Sequence, residues 1–455
     1  MKPSEYSVLI IASLATALWA LTAPGCGSSE KSGQPVEEKV PSAAPKINPV
    51  PALLSSPPKP RNNAAVTVKK SPPAIPHTKV KGVGSVRERK QFTMLAVGDL
   101  MAQPRLLTAM EDEPQNWSRA FGDFAVSFAG ARVAFGNLET PITHSAWSDA
   151  ERKKNLLAPA PAFMAGLDMI RGLKQTGFTV LSVANNHILD QGPRGLARTL
   201  ALLKAENLHA IGAAPGGESP LTVIDTGGFR VGFMAFAAFT NVRQKTFKLS
   251  DYTINFMNEN EPSEVKRAAA LVKKYRAGVD LLVVSVHWGW EFNNWPTVHQ
   301  RRAATALMEG GADVILGHHP HVLQGADYYN TRRGVRGFVI YSMGNALSAM
   351  GIHDLSDYRK EAAGRNDSVV LTLTVTHTKG GAPLVEASYA PAFSLPYRQN
   401  SEQRYAYVDL RQEIERRKAA GTCMVKALDT CAALNYRLEA VGKIFKNLPL
   451  TSPIP

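Results

Sequence analysis

The stretch DVILGHHPH, from Asp313 to His321, joins a short apolar strand directly to three histidines. Neutral imidazole is a common metal ligand, and three of the eleven histidines of the chain fall in this segment. Residues separated by one position in an extended chain point to the same side, so we expect His319 and His321 to face one site and His318 to point away. Pro320 stiffens the turn. The stretch therefore predicts a metal site where this strand ends.

Five other predicted strands, at 92–98, 132–136, 178–183, 280–286 and 337–341, also lead into polar clusters. The clusters contain Asp99; Asn137 and Glu139; Asn186, His187 and Asp190; His287 and Glu291; and Asn345. A single Asp or Asn at such a position is more often a helix cap or a turn residue. Six clusters in series favour one shared site, because ligands of α/β sheets bind beyond the carboxyl ends of the strands. Mixed imidazole, carboxylate and amide ligands suit Zn²⁺, Mn²⁺ or Fe better than Ca²⁺.

Helices are predicted between and after these strands by apolar residues spaced three to four apart. They are Trp117–Ala129, Pro161–Gln175, Arg194–Glu206, Pro262–Tyr275, Thr297–Glu309 and a long C-terminal helix over Gln403–Ile444 that is broken at Gly421. Further strands are predicted at 208–211, 221–225, 229–236, 368–376 and 384–388. Such alternation predicts an α/β layered domain, which we assign to residues 92–400, followed by a C-terminal helical extension at 401–455.

The N-terminus has the pattern of a targeting segment. The apolar run from Val8 to Leu21 is too short for a membrane span of about 20 residues, but it fits the core of a secretory signal. The following Ala23-Pro24-Gly25-Cys26 resembles a bacterial lipobox, which predicts a lipoprotein signal peptide at 1–26 and lipidation of Cys26. Plain secretion and an uncleaved anchor are the alternatives. All three place the rest of the chain outside the cytoplasm.

Residues 27–91 have the composition of a disordered, Pro/Lys-rich tether. Eleven of the 30 prolines fall between Pro35 and Pro76, and such a composition cannot bury enough apolar surface to fold. The net charge of the chain is +14, and nine Lys and Arg residues against one Glu lie between Lys59 and Lys90. This basic segment is expected either to contact anionic lipid or another polyanion, or to act as a solvated stalk.

Six segments, in this order, resemble the CapA capsule-synthesis family, also called the poly-γ-glutamate synthesis accessory family. They are AVGDLM (Ala96–Met101), GNLETP (Gly136–Pro141), SVANNHILDQG (Ser182–Gly192), VHWGWEF (Val286–Phe292), GHHPHVLQ (Gly317–Gln324) and YSMGN (Tyr341–Asn345). That family is similar in fold to the calcineurin-like metallophosphoesterases. The resemblance implies a β-sandwich flanked by helices, with metals held by loops at the strand ends.

The resemblance also implies roles for individual residues. The metal ligands would be Asp99, Glu139, Asn186, His287, His319 and His321. His187, followed by Asp190, would protonate a leaving oxygen. The first metallophosphoesterase motif has the form Asp-x-His, and here Met101 replaces its histidine, so we expect one divalent ion, or two with one held weakly.

Other residues near these motifs are predicted to support the site or to contact substrate. Glu291, four positions after His287, is either a partner that orients this imidazole or a surface carboxylate. Asn345 is a further candidate, since it ends the last strand. Trp288, with its neighbouring tryptophans, would either wall a groove for an extended polymer or pack in the core.

Three functions are compatible with these features. The first is an envelope-anchored accessory protein for the synthesis or export of an anionic capsule or exopolymer such as poly-γ-glutamate. The second is a metal-dependent periplasmic phosphoesterase with another substrate, and the third is a non-catalytic polymer-binding protein. The expected partners are an anionic exopolymer, the membrane through a lipid anchor, and a membrane-bound polymer synthesis complex; no nucleic-acid partner is expected.

Cys423 and Cys431 lie in a segment that is predicted to be helical. On one straight helix, eight residues span about 12 Å, whereas a disulfide needs Cα atoms within about 7 Å. Either the chain bends between them or they stay unpaired. Asp429 and Thr430 can cap a new helix near Cys431, so we favour two helices that are joined by a turn and a disulfide.

Overall fold

The computed structural model describes residues 89–111, 116–143, 162–242, 251–378 and 381–451. The predicted signal peptide at 1–26, with Cys26, and the tether up to residue 88 lie outside the described residues. The predicted end of the tether at residue 91 is wrong by three residues, because the first strand already begins at Arg89. No helix among the described residues is both long and apolar enough to cross a membrane.

The described residues form eighteen strands and nine α-helices. The strands are β1 (Arg89–Leu100), β2 (Val133–Leu138), β3 (Val180–Ser182), β4 (His209–Ile211), β5 (Ala213–Pro215), β6 (Thr222–Asp225), β7 (Arg230–Ala237), β8 (Tyr252–Ile254), β9 (Leu281–His287), β10 (Val314–His318), β11 (Leu323–Asn330), β12 (Arg336–Met343), β13 (Asn345–Leu347), β14 (Asp367–Thr378), β15 (Leu384–Gln399), β16 (Glu402–Asp409), β17 (Met424–Val425) and β18 (Leu428–Asp429). The helices are α1 (Pro104–Glu111), α2 (Asn116–Arg119), α3 (Ala125–Gly130), α4 (Leu167–Thr176), α5 (Gly192–Ala205), α6 (Pro262–Arg276), α7 (Val298–Gly310), α8 (Leu410–Ala419) and α9 (Thr430–Ile444).

Two large sheets form the centre of the fold. The first has the strand order β16-β15-β14-β1-β2-β3-β4, with β13 also paired to β1, and the second has the order β11-β12-β10-β9-β7-β6. Strands β1 to β4 are mutually parallel, as are β7, β9, β10 and β12. The predicted hairpin at Gly227-Gly228 is present as the antiparallel pair β6–β7.

Alternating side chains of the strands sort into separate cores. Met94 and Ala96 of β1 lie in a core shared with residues of the second sheet, whereas Leu95 and Val97 face a core that includes helices α4 and α5. A third core lies between the second sheet and helices α6 and α7. Because the side chains of a strand alternate between its two faces, this division shows two stacked sheets covered by helices. The predicted α/β sandwich flanked by helices is confirmed.

The C-terminal region differs from the predicted helical extension. Residues 402–409 form strand β16, which pairs with β15 and completes the first sheet, and Leu434 of α9 lies in the core between the sheets. The prediction of a helix over Gln403–Ile444 is therefore wrong at its start. The sequence of β16 shows little of the alternation between apolar and polar residues that indicates a strand, because polar residues occupy much of its first half. The predicted helix at Trp117–Ala129 is also broken, into α2, a 3₁₀ turn and α3.

The chain bends between Cys423 and Cys431, as favoured from the sequence. The hairpin β17–β18 separates α8 from α9, and the two cysteines form a disulfide with their Cα atoms 4.9 Å apart. The Asp429 side chain caps α9 by accepting a hydrogen bond from the Ala432 N–H at 2.9 Å. The hydroxyl of Thr430 donates to the Cys423 carbonyl and supports the same turn.

At Gly344 the chain passes directly from the second sheet to the first. Strand β12 of the second sheet ends at Met343, and Gly344, with φ of 66°, turns the chain into β13, which pairs with β1 of the first sheet. The Asp99 N–H donates to the Gly344 carbonyl at 2.9 Å. Asp99 and Asn345 are thereby placed opposite each other, where the carboxyl ends of both parallel sets of strands meet.

Candidate metal centre

Glu139 lies at the centre of the polar clusters that end the strands. It belongs to two groups whose candidate ligand atoms lie within 4.8 Å of one another: Glu139 with His319 and His321, and Glu139 with Asp99 and His287. All five side chains are buried. The structure thus brings together residues from β1, from the position after β2, from β9 and from the loop after β10, which are far apart in the sequence.

Asp99 is held by three imidazole and amide groups. His318 Nδ1 lies 3.0 Å from Asp99 Oδ1, His321 Nδ1 lies 3.3 Å from Oδ2, and the Asn137 amide donates to Oδ1 at 2.8 Å. Burial alone would raise the pKa of Asp99, but its hydrogen bonds and electrostatic interactions with His318 and His321 hold this pKa well below its ordinary value. Asp99 is therefore a carboxylate at neutral pH.

Glu139 has the opposite electrostatic environment. Burial, followed by the negative charges of Asp99, Glu291 and Asp190, raises its pKa well above the ordinary value. Its Oε1 atom is buried and has no hydrogen-bond partner among the described residues. A buried carboxylate in this position needs a cation to be stable as an anion.

His287 and His319 are neutral at physiological pH. Burial, and then the neighbouring His319, lowers the pKa of His287 well below its ordinary value; burial and His321 lower the pKa of His319 to about 3. Neutral imidazole is the form that binds metals. His319 Nδ1 is buried without a hydrogen-bond partner in the described part of the chain.

The alternation predicted for the three clustered histidines is wrong. His318 ends β10 and points at Asp99 instead of away from the site, although it belongs to neither group of candidate ligands. The following His319 and His321 have φ angles of 95° and 55°, so the segment is not extended. These left-handed residues turn all three rings toward Asp99 and Glu139, and strand alternation does not apply.

His187 and Asp190 form a buried pair beside the two groups. His187 Nδ1 lies 2.6 Å from Asp190 Oδ2, which also accepts the Phe163 N–H at 2.7 Å. The ring of His187 stacks on Phe163 with centroids 4.1 Å apart. Since the carboxylate only accepts, the pair places a proton on Nδ1, while Nε2 lies 3.4 Å from the side-chain amide nitrogen of Asn241.

Amide side chains connect these groups, and most of them carry no distinctive sequence signal. Asn186, predicted as a ligand, places its Oδ1 3.0 Å from His287 Nε2. Asn345 places its Oδ1 3.0 Å from His321 Nδ1. Asn137, which lies between Asp99 and His287, was placed in a polar cluster from the sequence but given no role. Asn185, which donates to Asn137 and to the Leu138 carbonyl, was not identified from the sequence. Their position directly after strands was the only signal.

Glu291 and Trp288 each take the second of the two roles that the sequence left open. Glu291 is exposed and makes no hydrogen bond to His287, whose ring nitrogens face Asn137 and Asn186 instead. Trp288 is fully buried in the third core and donates its indole N–H to the Tyr341 carbonyl, so it does not line a groove.

The residues present fit a divalent cation. The donor set combines imidazole and carboxylate, as Zn²⁺, Mn²⁺ and Fe sites do. Two of its atoms, Glu139 Oε1 and His319 Nδ1, are buried and have no hydrogen-bond partner among the described residues. His321 Nδ1 faces two oxygen acceptors, which leaves Nε2 as its ligand atom. Met101, which stands where related metallophosphoesterase motifs have histidine, is a buried core residue and offers no such ligand.

The family described as "Bacterial capsule synthesis protein PGA_cap" matches residues 93–350, more than half of the chain. The chain belongs to this family. The resemblance seen in the six sequence segments is confirmed, and the match covers every candidate ligand described above.

Three relatives share a similar extent of sequence. The "Capsule biosynthesis protein CapA" of Bacillus anthracis is 29% identical over 269 residues, covering 58% of this chain and 62% of the relative. The "PGA biosynthesis protein CapA" of Bacillus subtilis strain 168 is 31% identical over 225 residues, covering 49% and 55%. A "Probable polyglutamine synthesis accessory protein" of Mycobacterium tuberculosis is 26% identical over 280 residues, covering 59% and 68%. The match thus spans less than two thirds of either Bacillus relative.

Proposed function

We propose that the chain is an accessory protein for the synthesis or export of an anionic, poly-γ-glutamate-like capsule or exopolymer, and that its buried site is a metal-dependent hydrolytic centre. Membership of the capsule synthesis family supports the first part. The observation that carries the second part is Glu139, which is shared between two candidate ligand groups with His187 and Asp190 alongside.

The candidate ligands would hold one or two divalent cations, and Glu139 belongs to both groups of ligands. The chemistry that such a cation supplies is the acidification of water and the neutralisation of charge on a phosphoryl or carbonyl oxygen. The remaining steps belong to the chain. With both ring nitrogens protonated, His187, oriented by Asp190 and by its stacking on Phe163, donates the Nε2 proton to the leaving oxygen and is left as the neutral ring with its proton on Nδ1, a contribution of typically about 10²–10⁴ in rate.

Elemental analysis of the purified full chain, combined with turnover of bis(p-nitrophenyl) phosphate and of γ-linked glutamate polymer, tests the hydrolytic proposal. Glu139→Gln is expected to lose bound metal. His187→Gln is expected to keep metal and to lose turnover by about 10²–10⁴-fold. Glu386→Gln, an exposed carboxylate on β15, is the matched control and should behave as the wild type. Wild-type protein without bound Mn, Zn or Fe would refute the proposal.

A non-catalytic polymer-binding protein is the second candidate, and the observation that favours it is Met101. Because Met101 is a buried thioether, it does not supply the imidazole nitrogen that a histidine here would offer to a metal ion. In that case the wild type would bind metal and the glutamate polymer without hydrolysing either substrate. The two functions can be separated by deleting the gene in its host and complementing the deletion with the wild type or with His187→Gln. Equal exopolymer yield from the two complemented strains would favour a binding function without hydrolysis.

We also propose that the protein is held at the outer face of the membrane through a lipid on Cys26. The support is the apolar run that ends at the lipobox-like segment before Cys26. Cys26→Ser should shift the protein from the membrane fraction to the soluble fraction. A wild-type protein that is already soluble would contradict the anchor.

A further inference from the structure

Arg365 is a half-buried cation next to the candidate metal centre. Its guanidinium carbon lies 3.7 Å from the centroid of the Phe292 ring, so the two groups are stacked. Among the residues that the structure describes, Arg365 forms no ion pair with an acidic side chain. A stacked guanidinium keeps the N–H donors at its edge free for a ligand.

The backbone of Arg365 is tied to a candidate metal ligand. Asn345 donates its amide to the Arg365 carbonyl at 2.8 Å, while the Oδ1 of the same side chain contacts His321 Nδ1 at 3.0 Å. The ring of Phe292 lies 6.3 Å from the ring of His321, measured between centroids. Arg365 and Phe292 are therefore positioned by the same contacts that position His321.

Phe292 is held in a backbone conformation that a phenylalanine rarely adopts. Its φ angle is 62°, and its N–H donates to the Pro320 carbonyl at 2.7 Å. A left-handed conformation at a bulky residue persists where the surroundings fix it. Two tryptophans of the same segment, Trp290 and Trp295, are 64% and 78% exposed, so this side of the centre opens to solvent.

We propose that Arg365, stacked on Phe292, forms an anion-binding subsite beside the metal centre that takes a carboxylate or phosphate group of the substrate. The planar fork of arginine matches the two oxygens of such a group, and a charge-assisted pair is stronger than a neutral hydrogen bond. The inference builds on the proposed hydrolytic function, because it concerns a substrate of the same site.

Calorimetric titration of the full chain tests the subsite with two probes, inorganic phosphate in one arm and a γ-linked glutamate trimer in the other. Each arm is run with and without Mn²⁺, and Mn²⁺ affinity is measured separately. Arg365→Gln should weaken binding of at least one probe by about 10- to 100-fold, with Mn²⁺ affinity unchanged. The arm that loses affinity identifies carboxylate or phosphate as the ligand. Arg365→Lys, which keeps the charge but not the planar fork, should recover part of the affinity.

Arg332→Gln is the matched control. It removes the same charge from an exposed position in the turn between β11 and β12, at the opposite end of β12 from the site, and should bind as the wild type does. Phe292→Leu should weaken the same probe as Arg365→Gln. The proposal is overturned if neither probe binds the wild type, or if Arg365→Gln binds both probes as tightly as Arg332→Gln. Failure of Mn²⁺ to bind would refute the hydrolytic centre alone, because the metal-free arms still report on Arg365.

Discussion

Gly98 is a position at which a single added methyl group should disturb the candidate site without touching a ligand. A Cβ atom at this position would lie 1.9 Å from the Gly344 carbonyl oxygen and 2.8 Å from its carbon. Real Cβ contacts are not shorter than 3.0 Å, so Gly98→Ala must separate β1 from the β12–β13 crossing by about 1.1 Å. The hydrogen bond from the Asp99 N–H to Gly344, now 2.9 Å long, would be broken by this movement.

The expected cost follows from these two effects. Overpacking of a rigid core costs about 1–3 kcal/mol, and loss of a buried hydrogen bond adds about 0.5–1.5 kcal/mol. We therefore expect Gly98→Ala to lower the free energy of unfolding by about 2–4 kcal/mol, measured by urea denaturation. Asp99 should also move away from Glu139 in this variant. We expect Mn²⁺ or Zn²⁺ to raise the melting temperature of the wild type, and to raise that of Gly98→Ala by less.

Gly442→Ala is the control for this experiment. Gly442 lies within helix α9, and a Cβ there meets no atom within 4 Å. Replacement of a helical glycine by alanine usually stabilises by about 0.5–1 kcal/mol. The reasoning would be refuted if Gly98→Ala unfolded at the same urea concentration as the wild type, because the two strands would then have room that the structure does not show.

Three further predictions concern the frame around the site. Thr297→Ala removes one half of the capping box that Thr297 forms with Gln300 at the start of α7 and should cost about 1 kcal/mol in urea unfolding, whereas Thr297→Ser should retain most of the stability. The Cys423–Cys431 bond closes a short loop, so its removal by serine at both positions should cost about 2.5 kcal/mol; two reactive thiols in denatured, unreduced wild type would contradict the bond. Burial raises the pKa of Asp367 to about 6, although Arg437 pairs with it. The protonated carboxyl therefore stabilises the fold fully below about pH 4, and up to about 3 kcal/mol of this stability is lost as the pH rises through about 6. Asp367→Asn should flatten this part of the profile of unfolding free energy against pH, and an unchanged slope would contradict the prediction.

The parallel strands and their polar ends are the part of the fold that sequence reasoning recovers well. Fully buried strands such as β9 and β10 are mainly apolar runs, and the last residue of each is a histidine. The direction of parallel strands then places these ends at one edge, so Glu139, His287 and His319 could be grouped before any coordinates were known. Strand geometry also placed His187 and Asp190 in this group, whereas the role of His187 as a proton donor followed from the resemblance alone.

Backbone conformation explains where the same reasoning failed at the site. The prediction for His318 assumed extended backbone, and nothing in GHHPH signals that two histidines adopt positive φ. Arg365 carries no motif at all and reaches Phe292 only after the chain has passed through β12 and β13. Similarly, β16 looks like the start of a helix because its first residues are polar, and only its pairing with β15 makes it a strand.

The crossing at Gly344 shows why the two sheets cannot be understood separately. In the sequence, YSMGN looks like one strand followed by a turn, yet the structure divides it between two sheets. Gly344 supplies the left-handed turn, Asn345 pairs with Asp99 in the first sheet, and the side chain of Asn345 then orients His321 from the second. One short segment therefore sets the distance between an acidic ligand on one sheet and an imidazole ligand on the other. A change in the sheet-to-sheet spacing would alter the candidate metal centre before it altered either sheet, which is why Gly98, and not a ligand, is the most informative position to mutate.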